Sequence, residues 1–250
     1  MSSRDYMKAE FGDWWDVLLP VIESDLFEQT MREVEKFYYT SGSKKVCPAF
    51  SSIWKAFKAC PIDKFKCIVL GQDPYPDGYN ATGLAFGIPE NAVAIPLSLK
   101  NIMDELLRMN PGTLALDFDH TLESWAKQGV LLLNSSLTVL QHSPDSHRVV
   151  WEPLMKSIID HLVAKHPYHP LVVFGAKARN MLSDYAKKYS LVLYSPHPAS
   201  TRYGGEGAVG SGVFHNTNLM LTDPQYRLNK EPIDWLMEFF DIEPKGDAPF

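Results

Sequence analysis

Four short apolar runs, at residues 66–70, 130–133, 171–174 and 191–194, constrain this chain more than any other feature. Each is dense in Val, Ile and Leu without polar alternation, the pattern of strands covered on both faces. Between them lie segments of helical period, among them residues 97–109, 151–165 and 176–187. Strand and helix in alternation predict an α/β fold with a central four-stranded, mostly parallel sheet flanked by helices on both faces. A further amphipathic helix is expected over residues 24–38, with Ser24 as its N-cap. The chain has 250 residues, 45% of them hydrophobic, and no low-complexity linker. It can bury one sizeable core, so residues 1–250 are expected to form a single domain.

Composition narrows the function classes. No apolar run reaches about 18 residues, so no membrane-spanning helix is expected. Residues 1–20 show neither a basic segment followed by an apolar stretch nor an Arg-rich presequence, which points to a cytoplasmic protein of bacterial or viral type, or a nuclear one in a eukaryotic host. The three cysteines, Cys47, Cys60 and Cys67, form no CxxC pair and are assigned to packing rather than to disulfides or a thiolate metal site. His142, His147, His161, His166 and His169 have no metal-ligand spacing, and no metal or other cofactor is expected. The net charge of -6 argues against nucleic acid at first sight. The charge is uneven, however. Residues 1–43 carry nine acidic and four basic side chains and residues 223–250 seven and three, whereas residues 165–205 carry six basic and one acidic.

Open α/β sheets bind ligands outside the carboxyl ends of their strands. The residues that follow the four runs are Gly71-Gln72-Asp73-Pro74-Tyr75, Asn134-Ser135-Ser136, Gly175-Ala176-Lys177 and Ser195-Pro196-His197-Pro198. They would gather a carboxylate, an amide, a glycine turn and an imidazole at one edge. Asp73, stiffened by Pro74, reads as a base or electrostatic stabiliser, or as an aspartate that caps a turn. Asn134 offers a donor and an acceptor that match N3–H and O4 of uracil or thymine, unless it bonds only to backbone. Tyr75 and Phe86 fit the walls of a pocket for a flipped base, or an ordinary core. His197 could donate to charge developing on a leaving group, or be a solvated imidazole.

Together these residues resemble the family 1 uracil-DNA glycosylases. Gly71-Gln72-Asp73-Pro74-Tyr75 is similar to that family's water-activating loop, and His197-Pro198-Ala199-Ser200 to its HPSP loop. Between and after them, the likeness continues in Gly83-Leu84-Ala85-Phe86, in residues 96–102, in residues 125–134 and in residues 213–218, so a motif-bearing core spans about residues 66–222. The resemblance implies an enzyme that flips uracil out of single- or double-stranded DNA and hydrolyses its N-glycosidic bond, initiating base excision repair. The sugar would be cation-like in the transition state and the pyrimidine would leave as an anion. By position, Asp73 would orient or activate water and His197 would stabilise the departing uracil anion at O2. Asn134 would read the uracil edge, Phe86 would stack on the base, Tyr75 would exclude the thymine methyl, and Gln72 would line the pocket. Pro96, Ser98, Gly175, Ala176, Ser195, Pro198 and Ser200 would grip the phosphate backbone. The resemblance further implies a monomer, and as protein partners a DNA-mimicking inhibitor or a replication factor.

Two positions depart from the family pattern. Pro76 replaces a histidine, which bears on rate and pH profile. Thr201 replaces the leucine that fills the vacated base stack, and is followed by Arg202, Tyr203 and a glycine-rich stretch over residues 204–212. Arg202 or Tyr203 is therefore expected to supply the wedge. Two alternatives remain open from sequence: a related glycosylase of broader mismatch specificity, and a catalytically idle DNA-binding or replication scaffold. Tyr75 with Asn134 speaks against the first, missing cysteine pairs against an iron–sulfur member, and retention of Asp73 and His197 against the second.

Overall fold

The structure, a computed structural model, describes residues 3–111, 118–205 and 207–236. Its helices are α1 (Ser3–Phe11), α2 (Trp15–Ile22), α3 (Asp25–Thr40), α4 (Lys55–Ala59), α5 (Leu97–Met109), α6 (Glu123–Lys127), α7 (Arg148–Lys165), α8 (Ala176–Met181), α9 (Asp184–Tyr189) and α10 (Val213–Thr222). Its strands are β1 (Val46–Cys47), β2 (Cys67–Gly71), β3 (Val130–Asn134), β4 (Val139–Leu140), β5 (Pro170–Phe174) and β6 (Leu191–Ser195).

The four apolar runs become β2, β3, β5 and β6, each within one residue of its expected bounds, and pair in the order β3-β2-β5-β6 with every neighbour parallel. Every residue of β2, β3 and β5 is buried. Successive strand side chains point to opposite faces, so complete burial means that helices cover both. The outermost strand β6 departs from that expectation: Leu191, Val192 and Leu193 are half-buried and Tyr194 is 39% exposed. The other outer strand, β3, is buried throughout, so the exposure of β6 reflects thinner cover over its faces rather than its edge position.

Two aromatic clusters pack helices onto the sheet. Trp54 contacts Phe11, Phe27, Phe57 and Trp151, tying α1, α3 and α4 to α7. Trp125 of α6 meets Phe214 of α10, and Trp235 packs edge-on against both rings. The three cysteines are buried with free thiols, and burial pushes the Cys60 thiol up to about 12.

Local expectations hold where a short-range hydrogen bond decides them. The Ser24 hydroxyl accepts the Phe27 N–H at 3.2 Å and starts α3. The helix expected over residues 176–187 is instead two helices, α8 and α9. Ser183 turns extended between them, and its hydroxyl accepts the Ala186 N–H at 2.9 Å to cap α9. Serine competes with the helical backbone for its own hydrogen bonds in this way. The antiparallel pair β1–β4, outside the main sheet, has no counterpart in the periodicity of the sequence. Among the described residues, no helix is long and apolar enough to cross a membrane.

Candidate active site

Parallel register decides where the polar residues go. Gly71 pairs with Asn134, and Phe174 with Ser195, so the four strands end flush. The segments that leave those ends are stitched together. Ser135 N–H donates to Gly71 O at 2.9 Å, Ser136 N–H to Gln72 O at 3.0 Å, and Gly175 N–H to Ser195 O at 2.9 Å. They enclose a cleft of about 690 Å³ that gathers Gln72, Asp73, Tyr75, Phe86, Asn134 and His197.

Asp73 and His197 are held in defined states. The Asp73 carboxylate accepts the backbone N–H of Asp145 at 2.6 Å. Burial raises its pKa above the usual carboxylate value and the Asp145 carboxylate adds to that, while the Asp145 N–H, the Lys177 charge and a Gln72 side-chain hydrogen bond oppose the rise. His197 Nδ1 accepts the Ala199 N–H at 3.1 Å, which leaves the ring proton on Nε2. Burial, and after it the Lys177 charge, lowers its pKa below the ordinary imidazole value. The ring is thus a neutral Nε2–H donor opposite a carboxylate, an arrangement able to stabilise a departing anion and a developing cation.

The remaining walls suit a flat, hydrogen-bonding ring. Phe86 is buried, adopts φ +66°, and lies edge-on to Phe174 with ring centroids 5.2 Å apart. The Ala85 N–H bond to Leu132 O at 3.1 Å fixes its loop against β3. Tyr75 is anchored by its hydroxyl, which donates to Phe86 O at 3.1 Å and meets Ser98 Oγ at 3.0 Å. Asn134 is 7% exposed, and its carboxamide has no partner among the described residues. Its place depends on Gly71, where a Cβ would overlap Asn134 Oδ1 and crowd the Phe86 ring.

The residues expected to grip phosphate divide into two sets. Pro96, Ser98, Ser200 and Arg202 line the cleft. Pro198 and Thr201 are held from behind, because Asn101 Nδ2 donates to Pro198 O at 2.6 Å and to Thr201 Oγ1 at 3.0 Å. Ser195 is fully buried with its hydroxyl on Pro196 O, and the Gly175 N–H is committed to Ser195. Ala176 is exposed at the start of α8. The Tyr203 backbone closes the 3-10 turn Pro198–Tyr203, and its side chain lies outside the described residues.

Four further residues emerge only from the structure. Asn101 and Glu105 project one helical turn apart from α5, and Glu105, wholly buried, accepts the N–H groups of Gly210 and Gly212 at 2.5 and 2.8 Å and pairs with Arg108 at 2.9 Å. Together they clamp both ends of residues 198–212. Asp145 and Lys177 form an ion pair at 3.0 Å beside Asp73. Two polar residues on the buried face of an amphipathic helix could have marked Asn101 and Glu105, and Asn101 lies within the family-like residues 96–102; Lys177 follows the third apolar run directly, whereas Asp145 carries no signal.

Comparison with known proteins identifies the family. The sequence model of the uracil DNA glycosylase superfamily matches residues 57–210. A uracil-DNA glycosylase of Streptococcus mutans is 33% identical over 228 residues, 91% of this chain and 99% of its own. Another, of Lactiplantibacillus plantarum, is 36% identical over 233 residues, 92% of this chain and 96% of its own. Among solved structures, a mimivirus uracil-DNA glycosylase superposes with a TM-score of 0.72 at 25% identity, covering 89% of this chain and 85% of that one. A variant of the mimivirus protein, with the same TM-score and identity over 90% of this chain and 88% of its own, is solved in complex with UGI.

The tautomer assigned to His197 can be read directly. Nitrogen-15 NMR of the imidazole at pH 7 should show a neutral ring protonated at Nε2, with a titration midpoint below the ordinary 6.5. An Nδ1–H tautomer, or an imidazolium at pH 7, would contradict the geometry.

Proposed function

The chain belongs to the uracil DNA glycosylase superfamily, and on that premise we propose how its own residues release uracil from DNA. Its activity is that of a uracil-DNA glycosylase, hydrolysis of the N-glycosidic bond as the first step of base excision repair. The observation that carries the residue assignment is the convergence of Asp73, Asn134 and His197, from three strand ends, on one cleft.

Uracil flipped into the cleft stacks on Phe86, and Asn134, whose carboxamide has no partner among the described residues, pairs with its N3–H and O4. As the C1′–N1 bond breaks, the electron pair passes into the pyrimidine and the sugar becomes cation-like. His197 Nε2–H donates to the charge growing at O2, and the Asp73 carboxylate faces the positive sugar. Water adds at C1′, oriented by Asp73, and gives up its proton to that carboxylate. Gln72 lines the pocket and bonds to Asp73. Pro96, Ser98, Ala176, Pro198 and Ser200 bear on the phosphates flanking the site, while the buried Gly175 and Ser195 support the loops from beneath. The unit of action proposed is a monomer. A protein that mimics DNA would compete for the same cleft.

Asp73→Asn and His197→Ala should each lower single-turnover uracil release at least about 100-fold without loss of fold, the effect expected for a positioned base or anion donor. Wild-type activity should persist in chelator. The carboxylate form of Asp73 is the active one and burial raises its pKa. The rate should therefore fall as pH drops through a value above the ordinary carboxylate range, and that limb should vanish in Asp73→Asn. Near-normal rates in both variants would place the chemistry elsewhere.

Selectivity against thymine rests on shape, because an amide pairs equally well with either base. Tyr75 is fixed through its hydroxyl to Phe86 and Ser98, which leaves no room for a ring methyl to push it aside. Tyr75→Ala should admit thymine, measured as thymine release from T-containing oligonucleotides, with some loss of uracil activity. A variant that still ignores thymine would locate the filter on another wall.

Something must fill the stack when the nucleotide leaves, since unstacking costs a few kcal/mol. Thr201 is small and tied to Asn101, whereas Arg202 is exposed on the cleft and Gly204, at φ +78°, ends the turn that carries it. We assign the wedge to Arg202 or Tyr203. Arg202→Ala and Tyr203→Ala, compared on duplex and single-stranded substrates at fixed salt, should give in at least one case a larger defect on duplex. Equal defects on both substrates in both variants would rule out that assignment.

A further inference from the structure

We propose that Lys177 is a positioning residue for the hydrolysis, acting through Asp145 to hold the Asp73 carboxylate toward the sugar; the inference rests on the role given to Asp73 above. The contacts form an unbroken chain. Lys177 Nζ lies 3.0 Å from Asp145 Oδ2, and the Asp145 N–H lies 2.6 Å from Asp73 Oδ2. Asp145 stands at φ +70°, in the left-handed region that aspartate and asparagine enter more readily than other side-chain-bearing residues. Its backbone N–H points at Asp73 because of that conformation. Lys177 is the nearer of the two cations that pair with the Asp145 carboxylate. The other cation near Asp145, Arg148, is 3.5 Å away and also pairs with Glu152 at 2.5 Å.

The placement of Lys177 distinguishes this pair from an ordinary surface contact, which contributes little. Lys177 leaves β5 through Gly175, whose φ of +91° and missing Cβ let the chain pass against His197. Its side chain therefore reaches the same cleft as Asp73 and His197. One cation there favours the ionised form of the carboxylate and the neutral form of the imidazole, the two states the reaction uses. The Asp145 carboxylate fixes the ammonium in place. Without it, Lys177 would be a free surface amine able to swing toward phosphate.

The test is single-turnover uracil release from single-stranded DNA at saturating enzyme, with half-saturation measured separately, for Lys177→Met, Lys177→Arg, Asp145→Asn and the double variant Lys177→Met/Asp145→Asn. Asparagine tolerates the left-handed region, so Asp145→Asn removes the charge and spares the turn. Lys177→Met and Asp145→Asn should each lower the maximal rate on the order of tenfold, as loss of a group supporting a reactive one does. The double variant should be no worse than the poorer single, because both break one chain, and Lys177→Arg should restore most of the rate. An effect of Lys177→Met on half-saturation and salt dependence alone would make it a phosphate contact and overturn the proposal, as would multiplicative losses in the double variant. A wild-type chain that releases no uracil overturns the underlying reading as well, whereas an active wild type with unaffected variants overturns this inference alone.

Discussion

The hydrogen-bond register of the parallel sheet is the constraint on which the rest depends. Gly71 lies opposite Asn134 and Phe174 opposite Ser195, and those two pairings bring the ends of four strands, widely separated in sequence, to one edge. Strand side chains alternate with a period of two, so a slip of one residue between β2 and β3 would turn Asn134 to the opposite face and carry it out of the cleft. Burial of every residue in β2 and β3 fixes the register from both sides. The absence of a side chain at Gly71 then lets the amide and the Phe86 ring close over the strand end.

At that edge, low dielectric works in two directions. Burial alone would protonate Asp73 and deprotonate His197, and only the second change suits the chemistry. The first is offset by local donors: the Asp145 N–H, the Gln72 side chain and the Lys177 charge. The second is reinforced by Lys177 and given a direction by the Ala199 N–H, which occupies Nδ1 and leaves Nε2–H to face the cleft. An uneven charge distribution thus matters more than the net charge of -6, because the groups that decide protonation lie within a few ångströms of the carboxylate and the ring.

The face proposed to meet DNA depends on α5. Asn101 and Glu105 have the buried phase of that helix, and in place of apolar contacts they supply hydrogen bonds to residues 198, 201, 210 and 212. A glycine-rich segment has much backbone freedom to lose on ordering. Glu105 offsets that loss with charge-assisted bonds to two backbone N–H groups, each stronger than a neutral bond of the same length. The turn that carries Ser200 and Arg202 is thereby anchored at both ends.

The sequence by itself determined the strand set, because its short unalternating apolar runs have strand length and alternate with segments of helical period, and it determined the motif residues, because Asp73, Tyr75, Phe86, Asn134 and His197 follow those runs in a recognisable order. It also determined the cap at Ser24, a hydrogen bond across three residues. Its reading failed where the deciding contact was distant or competing: the break between α8 and α9, set by Ser183, and the partial exposure of β6, set by how little packs over its faces. Only tertiary structure decided that Asn101 and Glu105 hold residues 198–212, that Thr201 is tied back, and that Asp145 and Lys177 stand beside Asp73. The physical reason is range. Periodicity and turn chemistry act within a few residues, whereas the setting of Asp73 and the hold on residues 198–212 arise from contacts 72, 32 and 97 positions apart in the chain: Asp73 with Asp145, Asp145 with Lys177, and Asn101 with Pro198.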